Sequence, residues 1–303
     1  MSKKSNFKRE YISLLESHNC IGQSKHAAKL EKLRQAKLND TPYKPVRGIY
    51  SSATMKTYRK ACEQFSSFLR EKHPEVKRFS DGKPYIAEWL TALENTHSAW
   101  TLATYGMALC SAFSMEKKDI GFQFPKRKRE NIIRSRKDYP SYKDSDPKYD
   151  DARLFCMATG ARRGGIMKVR KGDIRQKDDG TYEVYFREKN NMSGWRQVLP
   201  EYQDEVLRIF NESRGYEMPN GEVRLFHKSA LPDELHSYRG IYCCKLYEYY
   251  EQNNLYATGE LYHCRGDMKG LTFDKGILRE CSRQMFHSRL DVIVTNYLYH
   301  FKD

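Results

Sequence analysis

The sequence lacks several features that would each have fixed a class. It has no run of apolar residues near the roughly 20 needed to cross a bilayer, so a helical membrane span is not expected. Its eight cysteines (Cys20, Cys62, Cys110, Cys156, Cys243, Cys244, Cys264 and Cys281) form no C-x-x-C pair and no metal-ligand spacing. The N-terminus is polar and charged, without the pattern of a signal peptide. These absences predict reduced thiols in a cytoplasmic protein, with the cysteines serving mostly as core filler. No internal repeat is visible. An acidic excess is also missing: Lys and Arg number 54 against 39 Asp and Glu, a net charge of +15 over 303 residues. Such a surplus favours polyanions, because each neutralised phosphate releases counterions, and it makes nucleic acid the first partner to consider. The length suggests about two domains.

The organisation follows from periodicity. Residues 1–48 are basic and polar, and read as an arm lying along DNA or a partly disordered tail. Residues 49–122 read as a small helical bundle. Ser51 and Ser52 offer N-caps, and Met55, Tyr58, Cys62, Phe65 and Leu69 then recur at spacings of three and four, which places them on one helix face. Lys56, Arg59 and Lys60 fall elsewhere on that helix, free to meet water or phosphate. Further helices are expected from about Pro84 to Glu94, burying Ile86, Leu90 and Leu93, and from about Ser98 to Met115, burying Leu102, Tyr105, Leu109 and Phe113.

Residues 123–143 read as an interdomain linker. Seven of the twelve residues from Lys126 to Lys137 are basic: Lys126, Arg127, Lys128, Arg129, Arg134, Arg136 and Lys137. A run this cationic repels itself unless something anionic lies beside it, so these join Lys56, Arg59 and Lys60 as candidate DNA contacts. Residues 144–303 are mixed. Asp150 to Met167 reads as helix. Asp173–Lys189 and Gly194–Pro200 alternate as strands around turns at Asp178-Asp179-Gly180 and Asn190 to Gly194, which predicts a three-stranded antiparallel sheet. From Glu201 onward the pattern is mostly helical. The fold class expected is mainly α with a small antiparallel β-sheet, a helical domain followed by a mixed α+β domain.

Five polar markers stand out in the second half. Thr159-Gly160-Ala161-Arg162 closes an apolar helical run. Lys189 ends the middle strand. His236-Ser-Tyr-Arg239 opens a helix. His287 follows, and Tyr297 comes ten residues later. Singly each is ordinary: a hairpin lysine is usually solvated, and an H-x-x-R pair arises by chance in a chain this rich in both residues. In this order, from about Asp144 to the C-terminus, they resemble the catalytic half of the tyrosine recombinase (phage integrase) family. Thr54-x-x-x-Tyr58 with Phe65 and Phe68-Leu69 is similar to that family's helical core-binding domain.

The resemblance implies a site-specific DNA recombinase that cuts and rejoins DNA through a 3′-phosphotyrosyl bond, with no cofactor and no metal. It implies that Arg162 and Arg239 grip the non-bridging phosphate oxygens, that Lys189 protonates the departing 5′ oxygen, that His236 assists proton transfer at the tyrosine, and that His287 hydrogen-bonds a non-bridging oxygen. Tyr297 would be the nucleophile. The residue types suit the chemistry: arginine stays charged and holds two oxygens at once, and a phenol with an ordinary pKa near 10 needs cationic neighbours to react. The implied partners are double-stranded attachment sites, a tetramer assembled on DNA, and a small excision or host DNA-bending protein. The implied setting is the cytoplasm, on the nucleoid in a bacterium, serving a mobile element. A type IB topoisomerase and a catalytically degenerate DNA-binding protein of the same fold are the alternatives.

Three departures from the family pattern bear on the site. The acid that supports the first arginine three positions on is absent; Gly165 stands there. Arg163 adjoins Arg162 and competes for its assignment. The tyrosine is expected nine residues after the late histidine, where Asn296 stands. Tyr297 fits if the loop from Ser288 to Val292 absorbs one residue, and Tyr299 is the other choice.

Overall fold

The computed structural model describes residues 6–128, 146–188, 192–232 and 235–302. The chain forms two compact units, residues 1–127 and 128–303.

The first unit is helical. Helices α1 (Phe7–Glu16), α2 (Lys25–Leu38), α3 (Ser52–Lys72), α4 (Ile86–Leu93) and α5 (Ala99–Ala112) follow one another. Helix α3 starts where Ser51 caps the Thr54 N–H, and α5 starts where Ser98 caps Thr101. The predicted stripe on α3 is buried at Met55, Cys62, Phe65 and Leu69. Helix α4 begins at Ile86, because the chain from Phe79 to Tyr85, including Pro84, winds as a 3-10 helix. Within residues 6–48 the two helices differ in burial. Phe7, Tyr11 and Leu15 of α1 are buried in the same core as Phe65, Phe79 and Trp89. Helix α2 buries no residue at all. An isolated bridge between Asn19 and Ile49 closes the base of the excursion that carries it.

The second unit packs helices around small antiparallel sheets. Helix α6 (Asp150–Thr159) ends at Gly160, whose φ of +60° is left-handed, and the one-turn α7 (Arg163–Ile166) follows. The predicted sheet is present: β1 (Ile174–Gln176), β2 (Tyr182–Arg187) and β3 (Ser193–Gln197) pair in that order, antiparallel, with Val184 opposite Arg196. Residues alternate between faces along a strand, so Val184, Phe186 and the following Glu188 all point inward, and all three are buried. Helix α8 (Gln203–Glu212) precedes a short pair, β4 (Tyr216–Glu217) with β5 (Val223–Arg224). Helix α9 (His236–Gln252) then crosses the core. A second pair, β6 (Leu261–His263) with β7 (Thr272–Asp274), leads to α10 (Lys275–Gln284) and α11 (Leu290–Asn296). These two strand pairs interrupt the mostly helical pattern expected after Glu201. They are only two or three residues long, too short for alternation to show in sequence. All eight cysteines are free thiols, and six of them are buried. Among the described residues no helix is long and apolar enough to cross a membrane.

Candidate active site

The backbone around Gly160 organises the site. The Thr159 hydroxyl donates back to the Phe155 carbonyl at 2.6 Å, closing α6. The chain then turns left-handed at Gly160, where a Cβ would lie 2.3 Å from the Tyr242 ring. This turn aims two carbonyls into the core. Arg196 Nη1 donates to the Thr159 carbonyl at 3.2 Å and to the Gly160 carbonyl at 3.1 Å, and Arg239 Nη1 also donates to Gly160. The Thr-Gly pair is therefore the carbonyl seat of two arginines, and the next turn presents Arg162.

Arg162 and Arg163 separate cleanly. Arg162 donates through Nη1 to the Glu188 carboxylate and lies with Nη2 3.1 Å from His287 Nε2. Its side chain is partly open to solvent. Arg163 instead donates to the backbone carbonyls of Leu231, at 3.3 Å, and Pro232. Arg162 is the one in the cluster.

Arg239 is completely buried. Its Nη1 and Nη2 donate to the Gly160 and Met285 carbonyls, and its Nε donates to Tyr297 Oη at 3.3 Å. The resemblance implies that Arg239 grips phosphate; in the structure its guanidinium faces two backbone carbonyls and the phenol. Burial first, and then the neighbouring Arg196 cation, lower its pKa to about 10, so it remains charged at neutral pH.

Tyr297 caps the C-terminus of α11 and is 4% exposed. Its hydroxyl also lies 3.2 Å from His287 Nε2. An arginine has no acceptor, so Nε2 accepts from Arg162 and carries no proton in that contact. Tyr297 Oη then accepts from Arg239 and donates to His287. Desolvation, with Arg239 and Arg162 nearby, lowers the His287 pKa to about 4 and keeps the ring neutral. His236, in the first turn of α9, has its ring centroid 5.9 Å from that of Tyr297, and it makes no hydrogen bond among the described residues. Partial burial and the same two cations lower its pKa as well. The histidine within hydrogen-bond distance of the phenol is His287, and the His236 ring lies beside the same tyrosine. Tyr299 lies in the short 3-10 helix that follows and packs in the apolar core around Leu246 and Ile277. Helix α11 starts at Leu290, within the segment from Ser288 to Val292.

Two residues of the cluster were not anticipated. Glu188 is buried, and its Oε1 accepts from Arg196 Nη2 at 2.8 Å and lies 3.7 Å from Arg239 Nη1. Burial alone would raise its pKa; the cations of Arg196, Arg239 and Arg162 overcome this and hold it below the ordinary carboxylate range. Arg196 is wholly buried between the rings of Phe186 and Phe286, at 4.5 and 4.6 Å, and its Nε donates to the Gln284 carbonyl at 2.6 Å. The cluster therefore holds three arginines around one carboxylate and one phenol.

Solved structures similar to this chain include two complexes of one recombinase with DNA, of which the first shares its architecture. One is the XerH site-specific recombinase bound to palindromic difH substrate in a post-cleavage complex. The match covers 97% of this chain and 91% of that one, with 13% identity and a TM-score of 0.50. The chain has the tyrosine recombinase fold. The second is XerH bound to difH substrate in a pre-cleavage complex, with 14% identity, a TM-score of 0.48 and coverage of 96% and 90%. No family model and no curated protein sequence matches the chain.

The remaining expected residues fall in two groups. Lys56, Arg59 and Lys60 are exposed on α3, where Arg59 pairs with Glu16. Lys126, Arg127 and Lys128 are exposed at the end of the described stretch. Lys189, Arg129, Arg134, Arg136 and Lys137 lie outside the described residues.

Proposed function

We propose that the chain is a site-specific DNA recombinase that cleaves and rejoins DNA through a 3′-phosphotyrosyl intermediate at Tyr297, acting in the integration or excision of a mobile element. One observation supports this reading above the others. The Tyr297 hydroxyl is held between a charged arginine, Arg239, and a neutral histidine, His287, beside the partly open Arg162.

The chemistry follows from these contacts. His287 takes the phenol proton at Nε2 as Oη attacks phosphorus. Arg239 stabilises the phenolate as it forms, in a site where burial makes a charge–charge contact strong. Arg162 neutralises charge growing on the non-bridging oxygens. The bond from phosphorus to the 5′ oxygen breaks, and that oxygen takes a proton, the task proposed for Lys189. A 5′ hydroxyl from a partner strand then attacks the phosphotyrosine and reverses each step. The phosphodiester bond energy is conserved, so the reaction consumes no nucleotide. Because Tyr297 is nearly buried, its hydroxyl must turn outward to meet a phosphate. The proposed partner is double-stranded DNA bound by four subunits across two duplexes.

The test is to incubate the protein with a randomised library of nicked duplexes and separate the products on a denaturing gel. A protein–DNA adduct that enriches one sequence is expected. No adduct from the wild type would sink the proposal, and relaxation of any supercoiled plasmid without sequence preference would make the chain a topoisomerase instead.

A further inference from the structure

We propose that Glu188 is the positioning residue for Arg162, supplying from the end of β2 the carboxylate that is missing at position 165. The inference rests on the recombinase reading above.

The two positions compete for one volume. A Cβ built on Gly165 would lie 3.2 Å from Glu188 Cγ and 3.4 Å from its Oε1. A side chain at 165 and the present Glu188 carboxylate do not fit together without one of them moving. The glycine is thus the counterpart of the glutamate, and the cluster holds one acid at this place, delivered from the sheet.

The carboxylate divides its oxygens between two kinds of arginine. Oε1 faces Arg196 and Arg239, which are both fully buried and fixed by backbone carbonyls. Oε2 faces Arg162, which is partly exposed and has no carbonyl of its own among its hydrogen bonds. Glu188 therefore ties the one movable arginine to a rigid frame. Arg196, clamped between Phe186 and Phe286, is the far end of that tie. Glu188 touches neither the phenol nor the reacting phosphate in this scheme. It sets where the Arg162 guanidinium sits, and a shift of about 1 Å in such a group costs roughly a hundredfold in rate.

The full chain is compared as wild type, Glu188→Gln, and the double variant Glu188→Ala with Gly165→Glu, which empties the contested volume and places the carboxylate at position 165. Adduct formation on the nicked library reports the reaction, DNA retention reports binding, and the side-chain NMR signals of Arg162 report its fixation. We expect Glu188→Gln to slow adduct formation about a hundredfold, to leave DNA retention within about twofold, and to average the Arg162 guanidinium signals. The double variant should recover at least about tenfold of the loss and restore those signals. If Glu188→Gln fails to fold, because two buried arginines lose their counter-ion, the double variant decides by the same readouts. Wild-type rate and an unchanged Arg162 signal in Glu188→Gln would overturn the proposal, as would a folded double variant with neither rate nor signal restored. A wild type that forms no adduct would defeat the recombinase reading instead, and the Arg162 signals would then decide the positioning role alone.

Discussion

Tyr297 Oη lies 3.2 Å from His287 Nε2, and the same nitrogen is 3.1 Å from Arg162 Nη2. One ring nitrogen thus joins the proposed nucleophile to the proposed phosphate clamp. Its role as an acceptor is fixed by the arginine, which can only donate.

Acid should expose this arrangement as a loss of stability. His287 has a pKa of about 4 in the folded chain, below the ordinary value near 6.5. The unfolded chain therefore binds the proton first. The stabilisation is complete above about pH 6.5 and is lost as pH falls toward 4, by at most on the order of 3 kcal/mol. His236, shifted the same way, adds to the trend. Urea unfolding between about pH 7 and pH 5 should show falling stability in the wild type and a flatter profile in His287→Ala. Equal slopes in the two proteins would contradict the assignment.

Arg239→Lys should be far from conservative. The guanidinium serves two carbonyls and the Tyr297 hydroxyl from one planar fork, and an ammonium cannot reach all three. Adduct formation should fall by about a hundredfold to a thousandfold, and stability by a few kcal/mol. A rate within about threefold of wild type would show that the phenol does not depend on this contact.

Gly160→Ala should damage fold and site together. The left-handed φ and the 2.3 Å approach to Tyr242 each oppose a Cβ. Strain and overpacking together should cost about 2–4 kcal/mol in denaturant unfolding. The shifted carbonyl should also loosen Arg196 and Arg239. An unchanged midpoint would refute this reading of the Thr-Gly turn.

On α3, Lys56 and Lys60 have no ion pair among the described residues, whereas Arg59 is paired with Glu16. If Lys56 and Lys60 each contact a phosphate, replacing either by Ala should reduce the slope of log affinity against log salt by about 0.9. The same change at Arg59 should have a smaller effect. Salt slopes indistinguishable from wild type would remove α3 from the DNA interface.

Much of the site was legible because its spacing is local. Thr159 to Arg162 is one turn, and His236 with Arg239 is one helical step. The order of these markers along the chain carried the rest. The three-stranded sheet was readable from alternation and turn residues. The helix from Phe7 to Glu16 was harder, since Phe7, Tyr11 and Leu15 form a narrow stripe in a polar segment and their burial depends on Phe65 and Phe79, far along the chain. Glu188 did leave a signal. It continues the inward series Val184, Phe186, Glu188, and a carboxylate at an inward position calls for a buried cation. Its partners come from α9, β3 and the turn after α6, and no local pattern names them. That His287 rather than His236 hydrogen-bonds the phenol was not legible either, because it depends on which ring nitrogen reaches the hydroxyl in three dimensions.

The choice of nucleophile is tested most directly by mapping the adduct itself. After capture on nicked DNA and nuclease trimming, the tryptic peptide Leu290–Lys302 carries both Tyr297 and Tyr299. Fragmentation in a mass spectrometer should place the nucleotide mass on Tyr297, and Tyr297→Phe should form no adduct while Tyr299→Phe still does. A modified Tyr299, or an adduct that survives Tyr297→Phe, would contradict the account.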